Sequence, residues 1–257
     1  LLRAQIRGQT QYRVSFVIDL VGSVAFGVLD VVTVFVLFRV SRRLAGFTFA
    51  EVFLMTALAS SAFALADLLV GNVERLRVYV RTGLFDAVLV RPLGALMQLL
   101  AMDVAPRRIG RAALGFALVG AAAVHAQLAP TPARLLLLAV APIAGAIIFS
   151  AVFVGTAAVA FWWVESGELG NALTYGGHDF AAYPMAIFGA LFRRLFAYGL
   201  GFAFVAYYPA LALLGRPDPL GAPAPLGYAS PLIAVAAAAA AGLVWRTGVR
   251  HYRSTGS

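Results

Sequence analysis

Long apolar segments alternate in this chain with short stretches that carry its arginines. A hydrocarbon core ~30 Å thick takes about 20 apolar helical residues at ~1.5 Å rise each. Six segments reach or approach that length: residues 14–38, 47–70, 109–128, 135–163, 195–214 and 231–245. Lipid offers no hydrogen bonds, so a spanning segment must satisfy its own backbone, which a helix does. The expected fold is an all-α polytopic membrane protein with six transmembrane helices, forming one membrane domain over residues 1–257. A composition 62% hydrophobic and only 12% charged excludes a soluble globule of this size.

Net charge is +9, and all twenty basic residues are arginine. They cluster at the ends of apolar segments, which reads as topology and headgroup anchoring rather than nucleic-acid binding. With the N-terminus inside, fifteen of the twenty fall on the inner side. Both termini and residues 72–106 are therefore expected in the cytoplasm, with the chain in the cell inner membrane. The absence of lysine excludes a Walker-type phosphate loop, which needs a lysine beside its glycines. The absence of cysteine excludes disulfides and thiolate metal sites. No cleavable leader is expected; residues 1–13, with Arg3, Arg7 and Arg13, read as an interfacial helix.

The largest polar feature is residues 72–106, an arginine-studded island between spans two and three. Glu74, Arg77 and Arg81 fall at i, i+3 and i+7, giving one charged helix face. Gly83 interrupts that helix, a second short helix is expected over 84–90, and Pro92 forces Arg91 out of helical geometry. Leu93, Leu96, Met97 and Leu100 then mark one side of an amphipathic piece. Two readings stand: a docking surface for a cytoplasmic partner, or a shaped turn whose arginines meet anionic lipid. Residues 164–194 read as an interfacial segment, and 215–230, with four prolines, as an extracytoplasmic loop.

Within the spans, Asp19 and Asp30 lie eleven residues apart and nearly share a helix face. Intramembrane carboxylates face the bundle or a wet cavity. They either line a transport route or pair with an arginine or backbone donor near a membrane edge. In span two, Ser60 and Ser61 are candidates for helix contacts and Asp67 lies near the exit. Ala141 with Gly145 and Ala151 with Gly155 are small pairs at the spacing that lets helices approach in lipid. His125, His178 and His251 lack metal-ligand spacing, and no histidine is placed near a serine in a nucleophile pattern.

Three blocks also carry a resemblance. The first is Arg81-Thr82-Gly83-Leu84-Phe85-Asp86-Ala87-Val88-Leu89-Val90-Arg91-Pro92-Leu93, similar to a G-x-x-D-x-x-L-x-R-P-L pattern. The second runs from Val164-Glu165-Ser166 through Thr174-Tyr175-Gly176-Gly177 to Tyr183-Pro184. The third runs from Ala206-Tyr207-Tyr208-Pro209 through Gly227-Tyr228-Ala229-Ser230-Pro231 to Trp245-Arg246. In their order and spacing these resemble ABC transporter permeases of the type-2 export family. The resemblance implies a permease without chemistry of its own, paired with a second permease and driven by a cytoplasmic ABC ATPase dimer that holds ATP and Mg. It also implies a coupling helix between spans two and three, with Arg81, Gly83, Asp86, Leu89, Arg91 and Pro92 as the motif. A proton-coupled transporter using Asp19, Asp30 or Asp67, and a non-transporting scaffold, are the alternatives. The proton-coupled one predicts internal repeats with paired broken helices.

Overall fold

The computed structural model describes residues 13–101 and 106–253, and every described element is helical. The expected helix at 1–13 lies outside the described residues, apart from Arg13. Helix α1 is Arg13–Val40 and α2 is Phe49–Val70. Glu51 sets the start of α2 by accepting the backbone N–H of Thr48 at 2.7 Å. A 3₁₀ turn, Gly71–Arg75, leads into α3, Leu76–Arg81. The polar island thus does not break the rod: Phe49–Arg81 is one helical run of 33 residues.

Two short helices follow, α4 (Phe85–Leu89) and α5 (Ala95–Ala101). Helix α6 is Pro106–His125 and α7 is Pro132–Ala158. Thr131 caps α7 through its hydroxyl, and Pro132 suits the first turn, where no intrahelical N–H bond is made. After a 3₁₀ turn come α8 (Gly167–Ala181) and α9 (Ala190–Phe192), the latter running on as the π-helical Arg193–Gly199. Helix α10 is Tyr207–Leu214 and α11 is Ser230–His251.

Three described helical runs are long and apolar enough to cross a membrane: Phe49–Arg81, Pro132–Phe161 and Ser230–His251. A fourth arises if Ala190–Gly199 and Phe202–Leu214 count as one span, although they meet at a 66° bend. The chain is a polytopic α-helical membrane protein.

Helix α2 is the centre of the bundle, with α1, α6, α7 and α8 around it. Lipid tails are as apolar as leucine, so close packing rather than water exclusion holds helices together inside a membrane. The contacts show how. A Cβ on Gly115 of α6 would come within 2.8 Å of the Ser61 Cα, and one on Gly145 of α7 within 2.8 Å of the Ala62 Cβ. Small residues on α2 thus admit two neighbours at backbone range. The Ala141–Gly145 pair lies at such a contact, whereas Gly155 faces open space.

Helix α8 runs antiparallel beside α2. The Tyr175 and Phe63 rings lie 5.5 Å apart, His178 meets Ser60, and the Thr56 hydroxyl donates to the Ala182 carbonyl at 3.1 Å. As α8 advances from 175 to 182, its partners on α2 recede from 63 to 56.

Candidate functional site

The island is an exposed turn on a fixed base. The Thr82 backbone N–H and hydroxyl both bond the Val78 carbonyl, ending α3, and Gly83 takes a φ of +71°, which a side chain would strain. That reversal sends α4 back beneath α3. Phe85 is fully buried there, its ring 5.2 Å from Phe161 and 5.0 Å edge-on from Tyr252. Phe161 in turn meets Trp245 at 5.5 Å, so the island rests on the ends of α7 and α11.

Gln98 completes the base from α5. Its buried side-chain amide donates to the Val88 carbonyl at 2.9 Å and the Leu93 carbonyl at 2.6 Å. These bonds tie the turn 90–94 on both sides. On the outside, Val90 is 85% and Leu93 and Met97 each 68% exposed, with Leu84, Leu89, Arg91 and Pro92 exposed beside them.

The six motif residues divide by position. Arg81, Leu89, Arg91 and Pro92 face outward; Gly83 makes the reversal; Asp86 is half-buried beside Tyr252. Burial, and then the Asp86 carboxylate, push the Tyr252 phenol above its ordinary value. Arg81 lies 3.7 Å from Glu165, both exposed, and Arg77 lies over Gly167 at the start of α8. The charged face expected from Arg77 and Arg81 therefore meets the foot of α8.

Two polar clusters lie deeper. Asp67 pairs with Arg108 at 3.3 Å and Arg111 at 3.6 Å, and Arg108 also donates to the Asn72 amide oxygen at 3.0 Å. Two arginines on one carboxylate tie α6 to the C-terminal end of α2. Asp30 lies elsewhere: Ser60 donates to its Oδ2 at 3.0 Å, and His178 Nε2 is 3.8 Å away. Asp19 belongs to α1, but its side chain is outside the described residues. Gln98, Phe85, Tyr252, His178 and Gly167 were not singled out by sequence reasoning as island or pathway residues. Only Gln98 had a local signal, as a polar residue between Met97 and Leu99.

Among the described residues, no three His, Cys, Asp or Glu side chains are arranged to hold a metal. A family model described as ABC-2 family transporter protein matches residues 24–256, and the chain belongs to that family. It is a non-enzymatic permease subunit of an ABC transporter of the exporter type. No curated protein and no solved structure matches the chain. Nothing in these findings favours the proton-coupled alternative.

Proposed function

We propose that residues 72–106 are the cytoplasmic coupling region through which this permease docks on an ABC ATPase dimer. The observation that carries this reading is the exposed 90–93 turn, whose base is locked by Phe85 and Gln98. Exposed apolar side chains around an arginine suit a protein partner, and a stiff base passes a push into two helices. In this reading Arg81, Leu89, Arg91 and Pro92 meet the ATPase, while Gly83 and Asp86 hold the shape. ATP and Mg belong to the partner subunits.

Residues 1–257 form one permease domain in the cell inner membrane, with both termini cytoplasmic, and pair with a second permease, identical or homologous. With Arg193 and Arg194 placed on the outer side, thirteen of the twenty arginines still lie inside, and that bias supports the orientation. Six crossings are α1, α2, α6, α7, α8 and α11. The contacts of α8 along α2 support counting it as the fifth crossing. This choice moves 167–181 out of the interfacial segment expected at 164–194 and leaves 190–214 as a bent outer element. Residues 215–230 follow as the extracytoplasmic loop, and membrane lipids meet the arginine-bearing ends.

The test is affinity purification from native membrane in mild detergent, with mass spectrometry of what stays bound. Near-stoichiometric ABC ATPase is expected, and Arg91→Glu should abolish its retention while the permease still elutes as a single species. Retention unchanged by Arg91→Glu, with full ATP-coupled transport, would remove the coupling role from the island.

A further inference from the structure

Helix α11 is the least enclosed of the three long apolar runs: 22% of its apolar stretch is buried, against 78% for Phe49–Arg81. Val235, Ala239, Leu243, Arg246 and Arg250 follow one another at steps of four, four, three and four, which puts them on one helix face. All five are exposed. From Val235 to Arg246 this stripe runs about 16 Å at ~1.5 Å per residue, the depth of one leaflet of a ~30 Å core. It is apolar over that length and then turns abruptly basic, at Arg246 and Arg250 and at Arg253 just past the helix end.

The neighbouring residues set the depth. Trp162 and Trp163 are 46% and 54% exposed at the foot of α7, and His251 stacks on Trp162 with ring centroids 5.7 Å apart. Tryptophan favours the boundary between hydrocarbon and headgroups, so the last turn of α11 stands at the level of lipid phosphates.

The charge at this corner is unanswered. Glu165 faces Arg81, and Asp86 lies beside Tyr252. Among the described residues no ion pair reaches Arg246, Arg250 or Arg253. Guanidinium forks suit a phosphodiester, and the apolar track leading away from them suits a hydrocarbon chain attached to it. A second copy of the chain fits this face poorly, because a two-fold axis beside α11 would set arginines against arginines.

We propose that this face of α11 binds an anionic phospholipid, its phosphate on Arg246, Arg250 and Arg253 and one acyl chain along Leu243, Ala239 and Val235. That the lipid belongs to the cytoplasmic leaflet rests on the orientation proposed above. The site adjoins the base of the island, since Tyr252, between Arg250 and Arg253, meets Phe85 edge-on at 5.0 Å.

The chain has no cysteine, so Leu243→Cys carries a single bimane label in the middle of the stripe. The labelled full chain is placed in phosphatidylcholine nanodiscs, and brominated phosphatidylglycerol or brominated phosphatidylcholine, which quench on contact, is added in steps. Half-quenching is expected at a mole fraction of phosphatidylglycerol at least about fivefold below that of phosphatidylcholine. High salt should narrow the gap. Arg246→Gln, Arg250→Gln and Arg253→Gln together should bring the two lipids level. Arg250→Gln alone should lose part of the preference and Arg250→Lys less, which keeps the test intact should the triple variant fold poorly. Equal quenching by the two lipids in the labelled chain, or a preference that survives the triple change, overturns the proposal. Both nanodisc faces carry the same lipid and no ATPase is present, so the outcome stands apart from the orientation and from whether the island couples.

Discussion

Arg216 holds Glu51 across 165 residues of chain, its Nη1 lying 2.7 Å from Oε1 and 2.6 Å from Oε2. The same guanidinium donates to the Gly46 carbonyl at 3.0 Å and lies 4.1 Å over the Phe47 ring. One side chain thus ties the start of α2 to the loop after α10. Both groups are partly exposed, which moderates the pair's worth. Arg216→Ala is expected to cost about 2 kcal/mol, mostly by leaving Glu51 without its charged donor. Thermal unfolding in detergent checks it, and in a double-mutant cycle with Glu51→Gln the losses should not add. Simple additivity would mean that the contact contributes nothing.

A methyl group at Gly167 would overlap the Arg77 guanidinium. The obstacle is the far end of a flexible side chain, so Gly167→Ala should fold while displacing Arg77 from the foot of α8. ATPase stimulation by transported cargo should then fall, Arg77→Ala should match it, and the double variant should be no worse. A Gly167→Ala protein with wild-type stimulation would show that this contact transmits nothing.

Gln98→Leu keeps the volume and removes both donors to the Val88 and Leu93 carbonyls. The expected cost is about 1–3 kcal/mol of local stability. Hydrogen exchange should rise across residues 88–94, with the spans unchanged. A uniform rise through the spans would make Gln98 a general core residue instead.

Tyr252 carries a pH dependence. Its native pKa is raised, by burial first and then by Asp86, so the folded chain holds this proton more tightly than the unfolded one. The contribution is fully present below about pH 10, the ordinary tyrosine value, and is lost as pH rises through the raised one. Ultraviolet titration of wild type against Tyr252→Phe should reveal one tyrosine ionising after the exposed ones, and Asp86→Asn should bring it lower. A Tyr252 that titrates with the exposed tyrosines removes the pairing.

Apolar run length and the lipid constraint made the membrane class and most helix positions readable in advance. Gly83 and Pro92 likewise marked the island's turns, because their backbone limits are local. What stayed hidden depends on contacts between distant segments. Asp30, Ser60 and His178 lie on three helices, and no spacing rule links them. The course of α8 was obscured for a related reason: Glu168, Thr174, Gly176, Gly177 and His178 dilute its apolar character, yet His178 packs on α2 and Gly177 against Phe202. The bend between 199 and 202 could not be read either, because Gly201 adopts a φ of +78° inside an apolar stretch that looks continuous.

The continuity of α2 with α3 has a mechanical consequence. A run of 33 residues is roughly 50 Å long at ~1.5 Å per residue. Pivoted where Ser61 and Ala62 meet α6 and α7, it behaves as a lever with its fulcrum near the middle. A tilt of only a few degrees at Arg81 swings Phe49 the opposite way by an ångström or two, at the end of the rod where Arg216 grips Glu51.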